Sequence, residues 1–345
     1  MPAPRLVSVV VPAFGAEARI AKTIESVAAQ SHRPLEIILV DDGSTDATTA
    51  QATAALSKFG IPGRVLVFEC NQGPSAARNH GWHAAKGDWI QFLDDDDELH
   101  PKKIEWQVAA LNGLDDAVAL VHSMWASRDS RGERRAKTHS RRPRLHGTRR
   151  CDRLISLLSG DNFIPFGSAL TSRRWLESAG GFDKRVRLIE DVDLQIRMIG
   201  LGASFAEVPA DVPIFCYNRR RGSLSESRTA EFVEGVLRNA RLARNMCIQD
   251  GYDTTSLTEV MREAFAQAIV FYASHDRTRF DDVFNEAQLY FACSHRKGSA
   301  AFNLLVGVFG WRRAELLCAG VRRAKNGCRS VAASDGSDVS LQSRC

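Results

Sequence analysis

Nowhere in the 345 residues is there an apolar run of the about 20 that crossing a bilayer takes, so no transmembrane helix is expected. Cysteine occurs eight times, but no two form a Cys-x-x-Cys pair and none groups with histidine at zinc-ligand spacing. Zinc-ribbon and thioredoxin-type chemistry are thereby excluded, and reduced thiols in a cytoplasmic protein are expected. The segment before Pro12 has neither a signal-peptide core nor a small-residue cleavage site, so the chain is expected to open inside its first strand. There is no Gly-x-x-x-x-Gly-Lys-[Ser/Thr] loop, and no Gly-x-Gly-x-x-Gly follows that strand, so kinases, ATPases and dinucleotide dehydrogenases lose their usual signature. Internal repeats and low-complexity segments are absent too. The net charge of +5 is too small to argue for a nucleic-acid partner, and none is expected.

What is there is an ordinary globular composition: 44% hydrophobic and 25% charged residues exclude disorder and coiled coil. Short apolar runs alternate with helical periodicity over the first 125 residues, the sign of βαβ units on a parallel sheet. Strands are predicted at Leu6 to Val11, Leu35 to Val40, Val65 to Phe68, Trp89 to Leu93 and Ala119 to Trp125. Ile20, Ile24 and Val27 fall on one face of a helix, Ser44 or Thr45 can cap a helix over Asp46 to Ser57, and Pro74 opens another. Further on, helices are predicted at Asp152 to Leu158, Arg173 to Ser178 and Glu190 to Ile199, with strands near Phe163 to Leu170, Ser204 to Val208 and Val212 to Tyr217. From about Thr229 to Lys325 the pattern is helical.

In an open α/β sheet the ligand crevice lies at the carboxyl ends of the strands, and the acidic residues collect there: Asp41 and Asp42 after the second strand, Asp94 to Asp97 after the fourth. Asp41-Asp42-Gly43-Ser44 taken alone also reads as a turn and helix cap. Four consecutive aspartates repel one another unless a cation neutralises them. Oxygen-only ligation suits Mg or Mn, which take one or two carboxylates and complete their shell with water and substrate phosphates. Asp94-x-Asp96 therefore reads as a site for a metal-bound nucleotide diphosphate.

Val7 to Pro12, Val40 to Asp46, Asn71-x-Gly73-x-x-x-Ala77-Arg78-Asn79, Gly87 to Asp97, and Gly180-Gly181-Phe182-Asp183 followed by Glu190-Asp191-x-Asp193-Leu194 occur in that order. Together they resemble the family 2 nucleotide-sugar glycosyltransferases, inverting enzymes with the glycosyltransferase A-type fold. The resemblance runs from about residue 6 to 226. It implies an α/β fold with a Rossmann-like parallel or mixed nucleotide-binding sheet and a helical C-terminal extension. Pro12 and Asp42 would line the base pocket, Asp42 bonding the uracil imide, and Arg78 would reach base or ribose. Asp94 and Asp95 would hold ribose and sugar, and Asp96, with Asp94, the metal. Asp191 would be the catalytic base, with Glu190, Gly180 and Gly181 on the acceptor side. Tyr217 to Ser225 resembles the segment that closes over the diphosphate, with Arg221 where the family often has His. The macrodipole at a helix N-terminus favours the Asp191 anion, while Glu190 and Asp193 push its pKa up.

The implied organisation is a catalytic domain over 1–226, with a donor half to about 127, a basic loop over 128–153 and an acceptor half from about 154, then a helical region over 227–330 and a polar tail over 331–345. Arg128 to Arg153 carries eleven Lys and Arg against three acids, so this window alone is +8. It reads either as a solvated face or as a contact for anionic lipid or the pyrophosphate of a lipid-linked acceptor. Ala300 to Trp311, apolar and followed by Arg312 and Arg313, is either a core helix or a basic amphipathic helix lying on a membrane. The expected function is transfer from a UDP-sugar to a glycan or lipid-linked acceptor at the inner membrane face, in exopolysaccharide or surface polysaccharide synthesis. A sugar nucleotidyltransferase would show a Gly-rich basic loop, which Val11 to Ala16 lacks. A non-catalytic nucleotide-sugar scaffold is the other alternative, and intact Asp96 and Asp191 argue against it.

Overall fold

The computed structural model describes residues 5–129, 138–159, 162–219, 229–252, 255–290, 311–316 and 318–319. It forms two compact units, 1–254 and 255–345. In the first, β1 (Val7–Ala13), α1 (Ile20–Ala28), β2 (Leu35–Asp41), α2 (Thr48–Phe59), β3 (Gly63–Val67), α3 (Pro74–Ala84) and β4 (Trp89–Phe92) alternate as the periodicity predicts. They are followed by β5 (Glu98–Leu99), α4 (Lys103–Ala110), β6 (Val118–His122), β7 (Trp125–Asp129), β8 (Thr138–Arg141) and α5 (Arg150–Leu158). A 3₁₀ turn at Phe166–Ser168, β9 (Ala169–Ser172), α6 (Arg173–Ala179), α7 (Glu190–Gly200), β10 (Ser204–Glu207), β11 (Phe215–Arg219) and α8 (Ala230–Gln249) complete the unit. The second unit contains α9 (Thr255–His275) and α10 (Arg277–Ala287).

Seven strands form one sheet in the order β10-β6-β9-β4-β1-β2-β3, parallel except for β9, and a smaller sheet runs β5-β11-β7-β8. Both faces of β1 and β2 are buried, which is why their sequences run apolar without alternation. Val7, Val9 and Val11 join the Ile20, Ile24 and Val27 face of α1, while Val10 and Val40 meet α3 at Gly81, where a Cβ would lie 2.4 Å from Val10 Cγ1.

The run Ala119 to Trp125, predicted as one strand, is divided between the two sheets. β6 pairs with β10, the chain turns at Ser123 and Met124, whose groups bond Val208 and Ile214, and β7 pairs with β11. Apolar patterning reports burial, and both halves are buried, so it carries no trace of the change of partner. Phe163 to Leu170 is likewise not one strand but a 3₁₀ turn leading into β9. At the start of α2 the N-cap position is Ala47, which has no side-chain cap; Asp46, one residue before it, accepts from the Thr48 amide through Oδ1 at 3.0 Å, and Ser44 Oγ accepts from the Gly15 amide. α8 packs on α5 and α7 and so belongs with the first unit.

Lys103 is fully buried, and burial pushes its pKa well below the usual lysine value. Its Nζ donates to the Oε1 atoms of Gln91 and Gln107, whose amides in turn bond the carbonyls of Phe166, Gly167 and Ser168. This polar core seats the 3₁₀ turn against β4. At Gly87 a Cβ would lie 2.7 Å from the Leu6 carbonyl and 2.9 Å from the Ser8 amide, both backbone. Gly87→Ala is therefore expected to destabilise the fold by ~1–3 kcal/mol in denaturant unfolding, and an unchanged midpoint would contradict that close approach.

Candidate active site

The sheet order changes direction at β1, with β2 on one side and β4 on the other, and this is where an open α/β sheet binds ligands. Pairing of β1 with β2 runs on to Ala13, but pairing with β4 stops at Val10, so the two strands part beside Pro12, which is buried opposite Val40. The acidic run leaves β4 at that point.

Its members alternate in direction. Asp95 and Asp97 turn inward, buried, and Asp94 and Asp96 are half-buried at the opening. Asp95 accepts from Arg19 Nε at 2.8 Å, from Arg19 again at 3.0 Å and from the Phe14 amide at 3.0 Å. The Asp95 carboxylate, expected to hold ribose and sugar, thus also fixes the loop after β1. Asp97 accepts from the Asn218 amide at 2.8 Å, and Asn218 Nδ2 donates to the Asp96 carbonyl at 2.7 Å, which ties the run to β11. Burial, then the charges of Asp96 and Asp94, hold the Asp97 carboxyl well above the usual carboxylate range.

Asp42, 3% exposed, accepts from the amides of Gln72 at 2.7 Å and Gly73 at 2.8 Å. It anchors the turn that opens α3, so the structural use of this aspartate and its expected contact with a base share one carboxylate. Burial raises its pKa, and the two amides oppose the rise. Arg78, on α3, lies between the halves of the site: it donates to Asp94 Oδ1 at 2.8 Å and to Glu190 Oε1, with its guanidinium 5.5 Å from the centre of the Phe182 ring. Burial works against its charge, but Asp94 and Glu190 outweigh it and its pKa is raised. Arg78, expected to reach base or ribose, thus bridges Asp94, at the end of β4, and Glu190.

Gly180 and Gly181 both have positive φ, and a Cβ on Gly181 would lie 2.6 Å from Asn79 Oδ1. Asn79 holds the backbone of Phe182 through both its N–H and its carbonyl, at 2.9 and 2.8 Å. Phe182 thereby packs edge-on against Phe92 and Phe166 under Arg78. α7 then starts at Glu190, and the Asp191 carboxylate accepts from the Val192 amide at 2.8 Å. Burial first, then the Glu190 charge, push Asp191 up to about 7, against the Val192 amide and Arg78. Asp193, expected to contribute to that rise, is instead neutralised by Arg197 at 2.8 Å.

Arg19, Asn79 and Phe182 are structural supports of the site to which the sequence reading assigned no individual role, and Asn218, inside the segment Tyr217 to Ser225 expected to close over the diphosphate, is a fourth support. Asn79 and Phe182 stand inside quoted motifs. For Arg19, 76 positions from its partner, no local signal exists. Arg221 lies outside the described residues.

Residues 8–177 match the family model described as glycosyl transferase family 2. This stretch is a glycosyltransferase family 2 domain. Among curated relatives, the succinoglycan biosynthesis protein ExoO of Rhizobium meliloti is 29% identical over 67% of this chain and 66% of its own length. ExoU of the same organism is 31% identical over 59% of each chain, so this chain spans only part of the length of these relatives. The fold is similar to S. aureus TarS 1-349 in complex with UDP-GlcNAc, with a TM-score of 0.62 over 91% of this chain and 88% of that one at 16% identity. It is also similar to the mannosyltransferase PcManGT from Pyrobaculum calidifontis in complex with GDP-Man and Mn2+, with a TM-score of 0.52 over 92% and 86% at 15% identity.

Metal use in the glycosyltransferase site can be tested against its donors. Among the described residues no three His, Cys, Asp or Glu side chains form a ready-made cage. Asp94 and Asp96 nevertheless offer oxygen donors at the opening, the kind and number that a hard cation completing its shell from a diphosphate uses. Several described arginines of the basic segment are engaged within their own unit. Arg150 holds Asp250 at 2.7 Å and the Gly200 carbonyl, Arg153 the Ala203 carbonyl at 3.1 Å, and Arg142 the Ala210 carbonyl. Residues 130–137 of the basic segment and 300–310 of the apolar one, to which the membrane expectation refers, lie outside the described residues, and no described helix is long and apolar enough to cross a membrane.

Proposed function

We propose that the protein transfers a sugar from a UDP-sugar, with inversion at C1, to a hydroxyl of a glycan or lipid-linked acceptor in polysaccharide assembly. The observation that carries this reading is the Asp94–Arg78–Glu190 bridge, which couples the acidic run at the end of β4 to Asp191, a carboxyl poised near neutrality. The likeness to TarS, solved with UDP-GlcNAc and with UDP, and to the succinoglycan biosynthesis proteins supports the donor and pathway class.

In this mechanism Asp191 takes the proton of the acceptor hydroxyl as that oxygen bonds C1 and the bond from C1 to the diphosphate breaks. Inverting transfer needs no covalent nucleophile, so one base on the acceptor face suffices. Arg78, clamped by two carboxylates over Phe182, keeps the Asp94 and Glu190 charges from raising Asp191 beyond its working range. Asp42 acts through the Gln72 and Gly73 turn that it pins at the start of α3. Asp96, with Asp94, would hold Mg or Mn, which supplies positive charge to the leaving diphosphate.

Thermal unfolding in the presence of UDP-, GDP-, dTDP- and CDP-sugars, each with Mn and with EDTA, tests the donor. UDP-sugars with Mn are expected to stabilise the chain, by about 2.7 kcal/mol at 100 times the Kd. Stabilisation by another nucleotide class alone would reassign the base.

A further inference from the structure

We propose that Gly235 and Asn239, on α8 and beyond the residues matched by the family model, are positioning residues that hold Ile189 in a left-handed conformation and so aim Asp191 at the acceptor. The inference deepens the function proposed above and rests on that reading for its catalytic consequence.

Ile189 is the only non-glycine residue with positive φ among the described residues, at φ 56° and ψ 33°, directly before Glu190 and Asp191. A β-branched side chain is disfavoured there because its Cβ crowds the following carbonyl, and such a conformation persists only where its surroundings over-determine it. The surroundings are one face of α8. At Gly235 a Cβ would lie 2.8 Å from both Ile189 Cγ1 and the Leu188 carbonyl, so only glycine lets the helix approach this close. One turn further on, Asn239 donates from Nδ2 to the Ile189 carbonyl at 3.3 Å. Asn239 is 1% exposed and its Oδ1 has no partner among the described residues, so the contact with Ile189 is what its buried amide does. Arg238, between them, donates to Asp183 at 2.5 Å and faces Asp193 at 3.6 Å, so the same face also grips the segment that follows Gly180 and Gly181.

If this face is disturbed, Ile189 relaxes toward an ordinary backbone conformation and the first turn of α7 pivots, carrying Asp191 with it. The donor side, built from β1, β2, β4 and the turns after them, does not touch α8 through any of these contacts. A displacement of Asp191 therefore lowers turnover and spares donor binding.

The test uses full-length Gly235→Ala and Asn239→Ala proteins with UDP as binding probe, turnover of UDP-glucose and UDP-N-acetylglucosamine with water as the acceptor hydroxyl, releasing UDP and free sugar, and amide hydrogen exchange at residues 189–193. Expected are a UDP Kd within about twofold of wild type, a kcat lowered ~10- to 100-fold with donor KM little changed, and exchange at 189–193 accelerated more than in the later turns of α7. Should Gly235→Ala fail to fold, Asn239→Ala decides alone. A kcat within twofold of wild type per folded molecule, or a lowered kcat without faster exchange at 189–193, overturns the proposal. If the wild-type protein turns over neither donor, the proposed function is what fails, and exchange at 189–193 still decides whether α8 sets this segment.

Discussion

Asp191→Asn is expected to leave UDP binding within about twofold of wild type while cutting sugar transfer by ~10²–10⁴, the range that a positioned general base contributes. Asparagine keeps the size of the side chain and can still accept from the Val192 amide, so α7 should start as before. It cannot take a proton, and the inverting displacement has no second base to replace it. The wild-type profile of kcat/KM should rise with pH and level off above about 7, because the base works only when ionised and burial with Glu190 holds it near that value. The stability profile runs the other way. The folded-state pKa lies above the ordinary 3.8, so protonation favours the folded chain; that contribution is fully present below 3.8 and is lost as pH rises through about 7. The Asn variant should accordingly match or exceed the wild-type melting temperature at pH 8 although it is nearly inactive. A variant that keeps more than about a tenth of the activity would remove Asp191 from the base's role.

Asp96→Ala is expected to abolish the metal dependence of UDP binding. Wild-type protein titrated with UDP should bind at least ~10-fold tighter with Mn than with EDTA, a scale that changes even outside the ligand shell can reach, and the variant should bind equally in both. The acidic run should otherwise stay in place. Asn218 holds Asp96 through its carbonyl, Asp95 remains fixed by Arg19 and Asp97 by the Asn218 amide, none of which needs the Asp96 side chain. Asp95→Ala is the contrasting change, since it frees Arg19 and the loop after β1 rather than a ligand for the donor. Calorimetry in which Asp96→Ala retains the Mn effect would move the metal to other carboxylates.

Much of this site can be read along the chain, because it is built at strand ends and strand ends are marked locally. Unbroken β-branched runs mark β1 and β2 as buried on both faces, and the aspartates that follow β2 and β4 lie at the crevice because a parallel sheet puts all such ends on one side. Glu190 opens α7 where the helical period begins, and Gly180 and Gly181 mark a turn that only glycine makes easily. The remainder depends on partners distant in sequence. Which aspartates of the run face outward was decided by Arg19 and Asn218, which draw Asp95 and Asp97 in. Whether the helix dipole or burial would dominate at Asp191 was decided by packing, which removes water from the carboxyl and brings Asp94 and Glu190 near it. The break between β6 and β7 and the left-handed Ile189 were settled by β11 and α8. The sequence by itself therefore determined the fold class, the strand-end placement of the acids and the start of α7, since these follow from local periodicity and turn chemistry. Only the tertiary structure decided the direction, charge state and aim of each carboxylate, because desolvation, ion pairing and close approach belong to the assembled fold.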